Sequence, residues 1–296
     1  MEDRVDSARP LVSQRAPGAR PGDLTADDVR WLAWHEARSH GLIGREVRDL
    51  GDAVLLHDPT DREPFWNRLA GLAWPTEAAA FDRRLAESLA LFAGLDRIPH
   101  IWPQPGFDEP ADLVERLTAN GFEDHGRGMV MLLDPQRMAL RIDPPVGLAG
   151  LTIERLEGRS GEAAATDAKS IGEVLVASFA VEPERRVAIE LEVLQGFELD
   201  AYHIVLARVD GRPAAVARRT TFAGASYLSS IGTHPDFRGR GLGGLVTSLA
   251  VADAVAQDSR WTYLGVFEEN AVARRMYEGL GFSVVGGPAP DLLLRR

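Results

Sequence analysis

Between Thr233 and Ala256 the chain reads "THPDFRGRGLGGLVTSLAVADAVA". Gly239, Gly241, Gly243 and Gly244 crowd between two arginines and an alanine-rich helical stretch. Glycine destabilises a helix by about 1 kcal/mol relative to alanine, so the cluster needs a reason. Backbone amides just ahead of a helix N-terminus form a cradle for a phosphate or pyrophosphate. Arg238 and Arg240 add positive charge at its rim. A glycine-rich turn entering a closely packed helix is the plainer alternative, but it leaves the arginines unexplained. Gly239, Gly241 and Gly244 also match G-x-G-x-x-G. That fingerprint belongs at the first strand-to-helix turn of a parallel sheet, whereas here it follows an antiparallel meander late in the chain. Lys169 is the only lysine, which excludes a P-loop.

These residues must be held by a fold. Before the glycines, "AYHIVLARVDGRPAAVARRTTFAGASYLSSIGT" reads as three antiparallel strands with turns at Asp210-Gly211 and near Gly224. It is preceded by a strand, "LTIERL", and two helices, "AKSIGEVLVASFA" and "PERRVAIELEVLQGF". After the glycines come the helix, a strand "WTYLGVF", a helix "AVARRMYEGLG" and strands around "FSVVG" and "DLLLR". The first half runs in a similar order. Thr25 caps a helix "TADDVRWLAWHEARSH", with acidic residues at its positive end. Strands are expected at "REVRDL", "DAVLLHD", "FWNRLAGL", "RIPHIW" and "HGRGMVMLLD". "TEAAAFDRRLAESLALFAGL", capped by Thr76, and "PADLVERLTANGF" are expected helices. The division is therefore a mobile lead-in at 1–24, a first domain at 25–140, a linker at 141–150 and a second domain at 151–296.

The 296-residue length suits two cores. The net charge of -11 argues against nucleic acid as a partner. No apolar run is long enough to span a membrane, and no secretory signal opens the chain, so a cytoplasmic location is expected. The absence of cysteine excludes disulfides, thiolate metal sites and a cysteine intermediate. No metal site is expected. A free sheet edge could pair two chains as a homodimer.

Arg238-Gly239-Arg240-Gly241-Leu242-Gly243 resembles the R-x-x-G-x-G signature of the GNAT superfamily, the acyl-CoA-dependent N-acetyltransferases. "LGVFEENAVARRMYEGLGFSVVG" resembles the family's later motif, with Asn270, Ala273, Tyr277, Gly281 and Phe282 at its positions. The resemblance covers roughly residues 151–296. It implies an α/β (α+β) fold of two tandem GNAT-like domains, each a mixed, largely antiparallel sheet flanked by helices. It implies acetyl-CoA as acyl donor, its pyrophosphate on the amides of Arg238 to Gly243. The pantetheine arm would lie between two splayed strands, with amides near Ile231 and Thr233 orienting the thioester. Asn270 could bond the pantetheine amide, cap the following helix, or do both.

The transfer needs an unprotonated amine, charge stabilisation at the carbonyl oxygen and a proton for the departing thiolate. Tyr277 is the candidate general acid, and core packing is the alternative for it. The strand before the signature, "ASYLSSIGT", has no carboxylate where many relatives carry a glutamate. His203, His234, Glu182, Glu184, Asp200 or a water relay could serve as base. Glu162 to Asp200 holds nine acidic residues against three basic ones. That balance suits a small, cationic amine substrate, or reflects solvated helix faces.

In the first half "AWPTEAA" replaces the glycine cradle, and its proline removes an amide donor. Leu117 takes the place of Tyr277 and cannot donate a proton. The first copy thus reads as degenerate and non-catalytic. Five tryptophans, Trp31, Trp34, Trp66, Trp74 and Trp102, fall there, filling its core or the face between the halves. The expected activity is acetyl transfer to a primary amine in a ternary complex. A non-catalytic acyl-CoA sensor and an interaction module are the alternatives.

Overall fold

The structure is a computed structural model and describes residues 20–295. Most of the expected lead-in lies outside these residues. Its end does not: Pro21–Asp23 form a 3-10 turn and Leu24 is buried.

The first half runs α1 (Ala26–Gly41), β1 (Glu46–Asp49), β2 (Val54–His57), β3 (Arg68–Ala70), α2 (Ala78–Gly94), β4 (His100–Trp102), α3 (Leu113–Ala119) and β5 (Glu123–Leu133). The second runs β6 (Leu151–Leu156), α4 (Gly161–Phe179), α5 (Arg186–Phe197), β7 (Tyr202–Val209), β8 (Arg212–Phe222), β9 (Ala225–Thr233), α6 (Leu242–Ala256), β10 (Trp261–Phe267), α7 (Ala271–Leu280), β11 (Phe282–Val284) and β12 (Ala289–Leu293). Thr25 caps α1 as expected, within a capping box closed by Asp28. The cap of α2 differs from expectation. Glu77, not Thr76, supplies it, because a carboxylate one residue nearer reaches two amides at once. The expected strand at "FWNRLAGL" is shorter than its sequence: Phe65 and Trp66 belong to a 3-10 turn, Pro64–Trp66, and β3 keeps only Arg68–Ala70.

The strands form one sheet in the order β1-β2-β3-β4-β12-β5-β10-β9-β8-β7-β6, with β11 also paired to β5. Strand pairing crosses the linker in both directions. β5, the last strand of the first half, pairs antiparallel with β10 and β11 of the second. β12, from the end of the second half, lies between β4 and β5. The linker follows α6 back: the amide of Arg141 donates to Ser248 Oγ at 3.0 Å, and Leu140 and Leu148 pack on the core.

Alternation along the strands divides the core. Val205, Ala207, Leu228 and Leu264 join the cluster under α6 and α7. Ile204, Leu206 and Val216 face α4 and α5 on the opposite side. There α1 covers Tyr227, Trp261 and Tyr263. The α1 tryptophans make the contact between halves: Trp31 lies 5.2 Å from Trp261 and Trp34 6.4 Å from Phe222. Trp74 is instead a core residue of the first half. Burying each such aromatic side chain contributes on the order of 2–3 kcal/mol.

Candidate functional site

β9 and β10 are parallel neighbours for only four residue pairs, from Ala225↔Trp261 to Leu228↔Leu264. Beyond them both strands continue, to Thr233 and Phe267, without pairing to each other. A register shift on β9 against β8 opens the fork. Val216 is opposite Gly232 but Arg218 is opposite Ser229, and Ser230 takes φ 48°. Ile231 and Thr233 lie on the free arm of this fork.

At the end of β9 the chain makes a 3-10 turn, Pro235–Phe237, and enters α6 through the glycines. Gly239 and Gly241 have φ of 74° and 80°, a conformation that only glycine adopts without strain. Among the described residues no acceptor takes the amides of Gly239, Arg240 or Gly241, and no side chain caps α6. With the first turn of the helix these form a continuous run of unpaired donors. Gly243 and Gly244 do different work. A Cβ on Gly243 would stand 3.1 Å from Thr233 Oγ1 and 3.5 Å from Met276 Sδ, and one on Gly244 3.9 Å from Met276. These two glycines let α6 approach β9 and α7, a packing role the sequence did not disclose. Arg238 is largely committed to structure. Its guanidinium donates to Thr233 O at 3.3 Å and Ser178 O at 2.9 Å, tying the cradle to α4. Arg240 is exposed, with its guanidinium 5.6 Å from the Phe237 ring centre. Pro145 of the linker stands against Gly241, 3.4 Å from where its Cβ would be.

The Gly243–Met276 approach brings α7 beside the cradle. The next residue, Tyr277, is 5% exposed and packs at 6.0 Å, edge-on, against Phe282. Burial pushes its phenol well above the ordinary range, so it holds its proton at neutral pH. Asn270 caps α7, accepting from Ala273 N at 3.2 Å through Oδ1. Its Nδ2 makes no bond, so capping leaves a donor for a ligand.

Residues 208–286 match the family model described as FR47-like protein. A GCN5-related N-acetyltransferase from Kribbella flavida superposes with a TM-score of 0.64 at 22% identity, over 90% of this chain and 96% of that one. A tandem GNAT protein from the clavulanic acid biosynthesis pathway gives 0.61 at 15% identity, over 91% and 96%. The chain has the tandem GNAT fold. A GCN5-related N-acetyltransferase from Sphaerobacter thermophilus gives 0.57 at 16% identity, over 97% and 98%. No curated protein matches the sequence significantly.

The first copy of the GNAT fold keeps the architecture without the cradle. β3 and β4 are parallel and paired at Leu69↔Ile101 and Ala70↔Trp102, where both strands end. α2 begins with the Glu77 carboxylate bonded to the amides of Ala79 and Ala80 at 2.9 and 2.7 Å. Two of the donors that an anion would use are therefore taken. Leu117 is fully buried in the local core.

The expected bases have separate surroundings, and His234 directly follows the free arm of β9. His203 bonds Glu157 at 2.9 Å at the far end of β7. His234 caps the 3-10 turn, accepting from Asp236 N. Glu182, Glu184 and Asp200 are exposed. The acidic stretch is partly spent internally. Asp167 pairs with Arg208 and Arg159, Glu190 with Arg186, and Glu192 with Arg45.

On the α1 face of the fork lies a cavity of about 140 Å³ that sequence reasoning did not anticipate. Leu264 to Phe267 line it, with Tyr227, Glu36, Arg68 and Trp102. Arg68 donates to Glu36 Oε1 at 2.6 Å, His40 Nε2 lies 3.4 Å from that oxygen, and the Tyr227 hydroxyl donates to it at 3.4 Å. Burial pushes the Glu36 carboxyl up, but Arg68 and His40 outweigh this and hold it at about 2. Burial lowers His40 to about 4, so its ring is neutral. The one readable signal was Leu32, Glu36, His40: a carboxylate at i,i+4 spacing on the buried face of a helix. Trp102 ends β4, within the strand expected at "RIPHIW", and lines the cavity.

Proposed function

We propose that this chain is an acetyl-CoA-dependent N-acyltransferase whose second half carries the donor site. The run of unpaired amides from Gly239 into α6, beside an open strand fork, is the observation that carries this reading. Those amides would hold the pyrophosphate, with the positive end of the α6 dipole behind them and Arg240 at the rim. The free arm of β9, with Ile231 and Thr233, would align the arm of the cofactor by backbone bonding, and Asn270 Nδ2 supplies one further donor. When bound, acetyl-CoA supplies an activated acyl group on sulfur.

The protein's contribution is position and a proton. Tyr277 stays protonated through burial and stands on the helix that touches the cradle; in this reading its hydroxyl would protonate the departing sulfur. An amine on the α1 side of the fork would reach the acyl carbon through the gap between the strands. The first half binds no nucleotide in this reading. It closes the sheet and walls the acceptor side.

Calorimetric titration of acetyl-CoA into the wild type and Gly241→Asp tests the assignment. Binding by the wild type that the variant loses supports the donor site, and an amine panel with Tyr277→Phe as control then tests transfer. No binding by folded wild type overturns the reading. Binding without transfer to any amine would leave an acyl-CoA-binding protein instead.

A further inference from the structure

The cavity on the α1 face has a chemical character of its own. Phe65, Trp102, Tyr227 and Phe267 give it aromatic walls, and Trp102 stacks on Phe267 at 6.5 Å and 9°. An apolar cavity of about 150 Å³ is enough to hold benzene. At about 140 Å³, this one suits a single ring and little more.

Its polar feature is a pair of charges. The Arg68 guanidinium lies 4.4 Å from the Phe65 ring centre and 4.7 Å from that of Trp102, and is bonded to Glu36. The contacts of Glu36 with Arg68, His40 and Tyr227 all fall on Oε1, so among the described residues Oε2 accepts no hydrogen bond, on a residue that lines the cavity. The pair offers a hydrogen-bond acceptor with no net charge. An ammonium brought there would meet Arg68 as well as Glu36, and the neutral His40 adds no negative charge. A neutral N–H donor meets no such opposition.

Resting on the transferase reading above, we propose that this cavity receives the acceptor, a compact single-ring primary amine, in its unprotonated form, with an N–H donating to Glu36 Oε2. The first half of the chain then supplies the residue that recognises the acceptor. The amine lone pair stays free, as attack on an acyl carbon requires. Glu36 is a binding residue here and not the base: a carboxylate held at about 2 does not retain a proton at neutral pH.

Aniline and toluene are suitable probes, because they share a ring and differ in the amino group. Their binding to the full chain is read by ligand-observed NMR, with acetyl-CoA binding measured separately by calorimetry. Aniline is expected to bind the wild type about tenfold or more tightly than toluene, the effect of one hydrogen bond to a carboxylate. Glu36→Gln is expected to erase that preference, since the amide keeps its oxygen on Arg68 and turns a donor toward the ligand. Ala70→Leu narrows the cavity without touching the charged groups, and is expected to weaken both probes while acetyl-CoA binding stays unchanged. Should Glu36→Gln not fold, the wild-type preference and Ala70→Leu still decide. Equal binding of the two probes to the wild type would overturn the role of Glu36. Binding of acetyl-CoA but of neither probe would overturn the cavity as acceptor site and leave the donor site standing. Failure of acetyl-CoA to bind would overturn the transferase reading, and the acceptor role with it, whatever aniline does.

Discussion

The helices α2 and α6 occupy equivalent places in the two halves, each following a strand that pairs in parallel with the strand after the helix. Their N-termini have opposite chemistry. At α2 a carboxylate of the chain itself occupies the amides. At α6 the approach is made by glycines in the left-handed region, and the amides have no partner. The same physics that would draw a pyrophosphate to a helix start is satisfied internally in one copy and left open in the other. A few side chains are thus enough to leave the helix N-terminus open in one copy and occupied in the other on a shared fold.

The largest effect should come from making the second copy like the first. Gly241→Asp places a carboxylate at the open cradle, and acetyl-CoA is expected to bind about a thousandfold more weakly by calorimetry, through lost charge-assisted bonds and repulsion. Tyr277→Phe should next leave binding unchanged but lower kcat about a hundredfold in steady-state transfer assays, the low end for a general acid. A variant that keeps full kcat would assign Tyr277 to the core alone. Asn270→Ala removes the α7 cap and should lower stability by about 1 kcal/mol, seen as a fall of a few degrees in Tm. Loss of acetyl-CoA affinity beyond that would show that Asn270 also meets the ligand.

The smallest effect is expected at Glu77→Ala, the converse exchange. It frees the α2 amides, yet Pro75 and the lack of glycines still prevent a cradle, so no second acetyl-CoA should appear in the binding stoichiometry. Its Tm should fall slightly at pH 7. Bonding to the Ala79 and Ala80 amides lowers the Glu77 carboxyl from its ordinary 4.5. That contribution is complete above 4.5 and is lost as the pH falls through the lowered value, so the difference in Tm between wild type and variant should shrink as the pH is taken below 4.5.

Local structure was legible wherever one segment decides it. The α1 capping box, the β7–β8 turn at Asp210-Gly211 and the glycine entry to α6 all follow from neighbouring residues. The similarity of the two halves was legible as a repeated order of elements. What was not legible depends on distant partners. "HGRGMVMLLD" and "DLLLR" both read as strands, but nothing local says that each completes the other half's sheet. The cavity was hidden for the same reason: Glu36, Arg68, Trp102, Tyr227 and Phe267 come from five elements spread over most of the chain. Gly243 and Gly244 look like their neighbours in sequence, and only the position of Met276 shows that they serve packing.

The exchanged strands bear on how the molecule is made. Leu292 is opposite Ile101 and Leu293 opposite His100, so the slot between β4 and β5 is filled by residues that leave the ribosome some 190 positions later. Until the second half is made, the slot-facing edges of β4 and β5 and the other edge of β5 lack the strands that cover them, which is when a nascent chain is most exposed to mispairing. The final closure of the first half is coupled to that of the second half. Removing residues 289–295 should therefore lower the hydrogen-exchange protection of β4, far away in sequence, along with that of β5. Protection of β4 that survives the truncation would show that the first half closes on its own.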